Sequence, residues 1–241
     1  MWKQVRKTKI QLKAKMNIKT IVYFDLESTG LQDSGRPRIS ELSFLAVKTE
    51  DFLKLHSVII VDISKKMNIE RLPRIINKLT LCVYPMALVT QDASTITGLD
   101  NYNLSGQAKF DSCTVKLINS FLYNLPCPIC LVAHNGDRFD FPLLKAELDK
   151  CGGNMDRNLL CADSYIAMRN ILESNNSTKI SFSLVNLFKY FFGRTPVSAH
   201  GSEADCSSLL KITAAVGSEF FDWIEDNNYK FRHCKPMWHI V

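Results

Sequence analysis

No run of about 18 uninterrupted apolar residues occurs in this 241-residue sequence, and its first residues lack the apolar core of a secretory signal. A membrane-spanning helix and an export leader are therefore not expected, and the reading is of an intracellular protein, cytoplasmic or nuclear. Internal repeats and low-complexity stretches are also missing. Eight cysteines are present, but they are scattered through predicted elements of a chain without an export signal, which favours reduced thiols. Cys127-Pro128-Ile129-Cys130 has CxxC spacing, yet no second CxxC or His pair follows it and Cys130 leads into an apolar strand, so burial accounts for it better than zinc or redox chemistry. Acidic residues are absent from residues 1–19, which hold seven Lys and Arg, leaving 23 basic against 24 acidic residues in the remainder. The net charge of +6 thus belongs to an expected flexible basic arm over residues 1–19. Such an arm is either a source of nonspecific phosphate attraction, a nuclear address or an ordinary solvated tail. The other residues, 20–241, are nearly neutral, and the chain's 46% hydrophobic content provides for one domain with a sizeable core.

Ile21-Val22-Tyr23-Phe24-Asp25-Leu26-Glu27-Ser28-Thr29-Gly30-Leu31 organises what is there. Its β-branched and aromatic run reads as a buried strand that ends on two carboxylates and a Thr-Gly turn. After Gly35-Arg36-Pro37, residues 39–47 and 55–61 read as two more strands in an antiparallel meander. Residues 62–80, with Pro73, read as a surface excursion, residues 79–83 as apolar, and 92–98 as a short helical turn with an Asp start and a Gly stop. Helices are expected at 113–125, 141–148, 165–172, 183–192 and 204–216, with a last turn or helix at 219–224. Short strands are expected at 130–133 and 159–162, and a polar loop at 175–178. Three meandering strands followed by alternating helix and strand predict an α/β fold, a mixed five-stranded sheet flanked by helices.

Three constellations carry chemistry. Asp25 and Glu27, two apart on a strand, share one face; they are either solvated acids at a strand end or acids compensated by a cation. In His134-Asn135-Gly136-Asp137-Arg138-Phe139-Asp140-Phe141-Pro142 a strand runs into a helix with acids in the turn. In His200-Gly201-Ser202-Glu203-Ala204-Asp205 a His and an Asp stand five apart at a helix entry. Metal-assisted phosphoryl transfer uses such a set. Mg²⁺ prefers oxygen ligands and keeps several waters, two ions about 3.5–4 Å apart serve both oxygens of an in-line displacement, and a His can deprotonate the attacking water.

Phe24-Asp25-Leu26-Glu27-Ser28-Thr29-Gly30-Leu31 resembles the first motif of the DEDDh (DnaQ-like) 3′→5′ exonucleases, with its DxE core and TGL turn. Residues 131–144, Leu-Val-Ala-His-Asn-Gly-Asp-Arg-Phe-Asp-Phe-Pro-Leu-Leu, are similar to the second motif in the form used by the three-prime repair exonucleases of animals. His200 and Asp205, at HxxxxD spacing, resemble the third. Lys78-Leu79-Thr80-Leu81-Cys82, Ile96-Thr97-Gly98-Leu99 and Ala162-Asp163-Ser164 extend a likeness that covers roughly residues 20–240.

The resemblance implies a ribonuclease H-like fold over residues 20–241 and a metal-dependent 3′→5′ DNA exonuclease that releases 5′-mononucleotides from single-stranded or frayed ends. Asp25, Glu27, Asp140 and Asp205 would hold two Mg²⁺ ions, with Mn²⁺ able to substitute, and His200 would be the general base on a mobile loop. It selects Asp140 over Asp137, because the family's ligand follows the aromatic residue; spacing alone leaves both open. Leu31 and Ile96 would pack against the terminal bases, and Ser28, Thr29 and Gly30 would approach the 3′-terminal nucleotide. Arg138 would contact a phosphate, beside Phe139, which stands where mammalian members commonly have Tyr. The plainer alternatives are core packing for Leu31, Ile96 and Phe139, a solvated charge for Arg138 and a surface imidazole for His200. A homodimer through an edge strand is also implied. With no anchor after Met237-Trp238 and no polyproline stretch in residues 62–75, the short form without a membrane segment is expected. The rival readings are a 3′→5′ RNA exonuclease, distinguished near the terminal 2′ position, and a catalytically silent nucleic-acid-binding module.

Overall fold

Alternation along the first strand sets the architecture. In β1 (Thr20–Ser28) Val22, Phe24 and Leu26 turn to one side and Ile21 and Tyr23 to the other, and all five are buried. A strand apolar on both faces must lie inside a sheet covered on both faces. The computed structural model, which describes residues 17–59, 72–175, 180–197 and 200–239, has this layered arrangement. β1 pairs antiparallel with β2 (Ile39–Lys48) along its whole length, and parallel with β4 (Ile129–Ala133) only from Thr20 to Tyr23. β3 (Ile75–Cys82) joins β2, β5 (Leu160–Asp163) joins β4, and β6 (Tyr229–Lys230) joins β5, giving the order β3-β2-β1-β4-β5-β6.

One face carries α3 (Ser112–Tyr123) and α4 (Asp140–Lys150). Val115, Ile118 and Phe121 of α3, with Phe141 and Leu144 of α4, pack on Val22, Phe24 and Phe44. Phe24 and Phe44 stack at 4.7 Å between centroids, and each side chain buried in this way contributes about 1.5–3 kcal/mol. The other face carries α1 (Thr49–Ile59), α5 (Ser164–Asn175), α6 (Leu184–Phe192), α7 (Ser202–Val216) and α8 (Ser218–Asn227). There the Tyr23 hydroxyl meets Thr213 Oγ1 of α7 at 2.6 Å, which fixes that helix along β1. A short helix, α2 (Gln91–Thr97), lies between β3 and α3, with Thr90 capping its start and Gly98 in the left-handed conformation at its end.

Three expectations need correction. The sheet has six strands rather than five, because Tyr229–Lys230 adds a two-residue strand too short to show a periodicity. Residues 55–59 are helical rather than extended. Glu50 and Asp51 in the first turn of α1 suit a helix N-terminus, and Phe52 is buried against the inner core, which together outweigh the β-preference of Val58 and Ile59; residues 60 and 61 lie outside the described residues. The third strand of the meander is instead Ile75–Cys82, part of which had read as a surface excursion. Its alternation is muted because, as an edge strand, it is only half-buried along its length. Most of the basic arm (residues 1–16), the excursion over 62–71 and loop residues 176–178 also lie outside the described residues. Asn17 and Ile18 are anchored, each donating its backbone N–H to Glu225, at 3.0 and 2.5 Å.

Candidate active site

β1 outruns β4. Beyond Ala133 the parallel partner turns away through residues 134–139 into α4, so the end of β1 with Asp25, Leu26 and Glu27 lies at the carboxyl ends of two parallel strands, the end at which open α/β sheets bind ligands. Asp25 and Glu27 continue the face of Ile21 and Tyr23, toward α7. Asp205, Leu209 and Thr213 follow one another at four-residue steps along α7, and Thr213 touches Tyr23, so Asp205 sits on the side of the helix that faces the sheet. As a result, carboxylate oxygens of Asp25, Glu27 and Asp205 all lie within 4.8 Å of one another. Asp205 Oδ2 accepts the His200 backbone N–H at 3.3 Å. Its Oδ1 is buried with no hydrogen-bond partner. A buried carboxyl oxygen without a hydrogen-bond partner, beside two more carboxyl groups, fits the oxygen-rich ligand set of a divalent cation.

Asp140, the first residue of α4, is buried and braced by backbone N–H groups, its own and that of Leu26 on β1. It stands outside the three-acid cluster but acts on it through its charge. Burial, then the charges of Asp140, Glu27, Asp205 and Glu41, hold Asp25 well above the usual carboxylate range. Burial first, then Asp205, Glu41 and Asp140, pushes Glu27 up to about 8. Burial also raises Asp140 and Asp205. The four acids cannot all ionise cheaply without a compensating cation. His200 is exposed and has a left-handed backbone, φ 71°, one residue before Gly201 at the N-cap of α7.

The neighbouring turn is built by its own polar groups. Ser28 Oγ donates to the Gly30 carbonyl at 2.8 Å, while buried Thr29 exchanges hydrogen bonds with Arg38: its N–H donates to the Arg38 carbonyl at 2.9 Å and its Oγ1 accepts the Arg38 N–H at 3.1 Å. The Thr90 N–H donates to the Thr29 carbonyl at 2.9 Å and brings the start of α2 alongside. Leu31 and Ile96 project at 66% and 54% exposure, so neither is core. Arg138 is exposed, whereas Phe139 is half-buried and packs on the core below.

No family model matches the chain. Three prime repair exonuclease 2 of Mus musculus is 35% identical to it over 233 residues, covering 91% of this chain and 92% of that protein. Its Homo sapiens counterpart is 36% identical over 226 residues with the same coverage, and three-prime repair exonuclease 1 of Bos taurus is 35% identical over 235 residues, covering 93% of this chain and 72% of that one. The chain belongs to the three prime repair exonuclease family. Among solved structures, the zinc-bound complex of E. coli exonuclease I with single-stranded DNA matches with a TM-score of 0.65 at 17% identity, over 86% of this chain and 43% of that protein, a likeness of fold.

In this repair exonuclease the second motif is held by residues that spacing did not single out. Asp163, at the end of β5, accepts backbone N–H groups of Asn135, Asp137 and Tyr165 at 2.9, 3.1 and 2.8 Å and so ties the loop to the start of α5. Its only sequence signal was the Ala162-Asp163-Ser164 likeness. His134 meets Ser164 Oγ at 2.9 Å and the Phe182 carbonyl at 2.8 Å, and burial pushes it down to about 4, so it is a neutral structural imidazole. Tyr229 donates to Asp137 at 2.5 Å. Asp137 is therefore drawn toward β6 and Asp140 toward β1, a separation that spacing left open. Glu41, in the interior of β2 and opposite Glu27, carried no signal at all.

Proposed function

We propose that this repair exonuclease hydrolyses the 3′-terminal phosphodiester bond of single-stranded or frayed DNA, releasing 5′-mononucleotides. The observation that carries the reading is the buried, partnerless Asp205 Oδ1 beside Asp25 and Glu27, next to a turn flanked by the exposed Leu31 and Ile96. Asp25, Glu27, Asp140 and Asp205 would hold two divalent ions, Mg²⁺ with Mn²⁺ as a substitute. Bound there, such ions supply charge stabilisation at the scissile phosphate and acidify the attacking water. The protein's own groups do the rest. His200 accepts the proton of that water on an imidazole nitrogen, and its exposure leaves it free to do so. Leu31 and Ile96 pack on the terminal bases, which requires no reading of sequence. The backbone of Ser28, Thr29 and Gly30 seats the terminal sugar, and Arg138, with Phe139 beneath it, contacts a phosphate of the same strand. Two copies pair through β3, a strand of eight residues whose outer edge is free among the described residues. Among the described residues no helix is long and apolar enough to cross a membrane, and an intracellular location, cytoplasmic or nuclear, suits the basic arm.

The test is digestion of DNA and RNA oligonucleotides of one sequence, with Mg²⁺ and with EDTA. Mononucleotides are expected from DNA with Mg²⁺ only, and His200→Ala should lower the rate by about 10²–10⁴-fold, the usual contribution of a general base. Undiminished release by His200→Ala or in EDTA would overturn the mechanism, preference for RNA would change the substrate, and binding without release would point to a silent binding module.

A further inference from the structure

Glu41 is a carboxylate that the proposed chemistry does not use, standing where another negative charge is costly. The β1–β2 register sets it opposite Glu27, with Ser43 opposite Asp25, and alternation along β2 turns both toward α7. Its charge is among the causes that raise Glu27 and Asp25. Among the described residues no Lys or Arg pairs with it. What holds it is the first residue of α7: the buried Ser202 donates to Glu41 Oε1 twice, from the backbone N–H at 2.9 Å and from Oγ at 2.5 Å. The Cys82 thiol of β3 donates to the other oxygen at 3.4 Å.

This arrangement substitutes for a missing cap. Gly201 occupies the N-cap of α7 without a side chain to receive the free N–H groups of the first turn. Glu41 receives one of them from across the sheet. Ser202 Oγ also lies 2.7 Å from Ser43 Oγ, itself 2.9 Å from Thr80 Oγ1, so the start of α7 is fastened to both β2 and β3. Asp205 follows Ser202 by three residues, within the same helical turn. We propose that Glu41 is a positioning residue, which fixes the first turn of α7 through Ser202 so that Asp205 meets Asp25 and Glu27. The proposal rests on the reading of those three acids as metal ligands.

The experiment is Mn²⁺ titration by calorimetry, together with DNA digestion, on wild type, Glu41→Ala, Glu41→Gln and Ser202→Ala. Glu41→Ala should weaken Mn²⁺ binding and lower kcat by about 10–100-fold, the usual effect of losing a group that orients a ligand, with KM for the oligonucleotide within about twofold. Glu41→Gln keeps an acceptor oxygen for both Ser202 donors and should stay within about threefold of wild type, and Ser202→Ala, which retains the backbone donor, should fall between the two. Wild-type Mn²⁺ affinity in a folded Glu41→Ala protein, or a Glu41→Gln protein as impaired as Glu41→Ala, would overturn the role. If Glu41→Ala does not fold, unchanged Mn²⁺ affinity in Ser202→Ala would overturn it equally. These failures concern Glu41 alone, whereas a wild-type protein that neither binds Mn²⁺ nor digests DNA would remove the reading of the acids beneath it.

Discussion

Burial beside Asp205, Glu41 and Asp140 pushes the Glu27 carboxyl up to about 8, against about 4.3 for an unfolded glutamate. Between those values the folded chain holds a proton that the unfolded chain has released, so stability falls as pH rises through the window and levels off above it. The Tm of the EDTA-treated protein is therefore expected to drop between pH 5 and pH 8.5. Mg²⁺ should raise it most at the upper end, where the carboxylates are ready to bind; scanning calorimetry at several pH values, with and without Mg²⁺, checks both. A metal-free Tm that climbs between pH 7 and pH 8.5, above the range in which the buried neutral His134 contributes, would show that Glu27 ionises freely. At this scale the candidate site residues were legible because Asp25, Glu27, Asp140, Asp205 and His200 fall in short motifs at strand or helix ends. Glu41 was not, because an acid inside an apolar strand gives no sign of which neighbour it meets across the sheet.

Close packing and buried charge decide how the elements carry the site. A Cβ on Gly136 would lie 2.6 Å from Ala133 Cβ and 2.8 Å from the Phe141 ring, so β4 and α4 can meet at this turn only over a glycine. Gly136→Ala should cost about 1–3 kcal/mol by overpacking, read as a lower denaturant midpoint. Arg38, the residue before β2, holds Glu147 of α4 through two bonds of 2.5 and 2.8 Å, with the two side chains 12% and 1% exposed. Glu147→Ala strips the half-buried Arg38 guanidinium of its carboxylate, leaving it the Trp238 ring at 5.7 Å, and should cost about 3 kcal/mol. The i,i+4 pair Arg169–Glu173 is half exposed, and Glu173→Ala should cost no more than about 0.5 kcal/mol by the same denaturant midpoint. Periodicity located α3 through α8 to within a few residues because each has an apolar stripe and several have a cap. It failed at α1, where a short apolar run fits helix and strand equally well.

At the scale of the whole molecule, the free edge of the sheet has a definite direction. The Val83 N–H donates to the Ser40 carbonyl at 2.9 Å, so by antiparallel alternation Leu81 and Leu79 also bond inward to β2, while Lys78, Thr80 and Cys82 point their N–H groups outward. Lys78→Pro removes an outward backbone donor, a change edge strands tolerate, together with the exposed Lys78–Glu203 ion pair at 2.7 Å, worth no more than about 1 kcal/mol. It should leave the fold intact and shift the proposed dimer toward monomer in analytical ultracentrifugation; a dimer of unchanged affinity would place the interface elsewhere. The sequence by itself determined the class of fold, the order of most elements and the candidate set of acids and one histidine proposed for the site, because strand alternation, helix periodicity and short motifs are local properties of the chain. Only the tertiary structure decided that Asp140 rather than Asp137 turns to β1, that Asp205 brings a partnerless oxygen to Asp25 and Glu27, and that Glu41 receives Ser202. Each of these depends on how β4 leaves β1 and how α7 lies on the sheet, contacts between segments more than a hundred residues apart that no local pattern encodes.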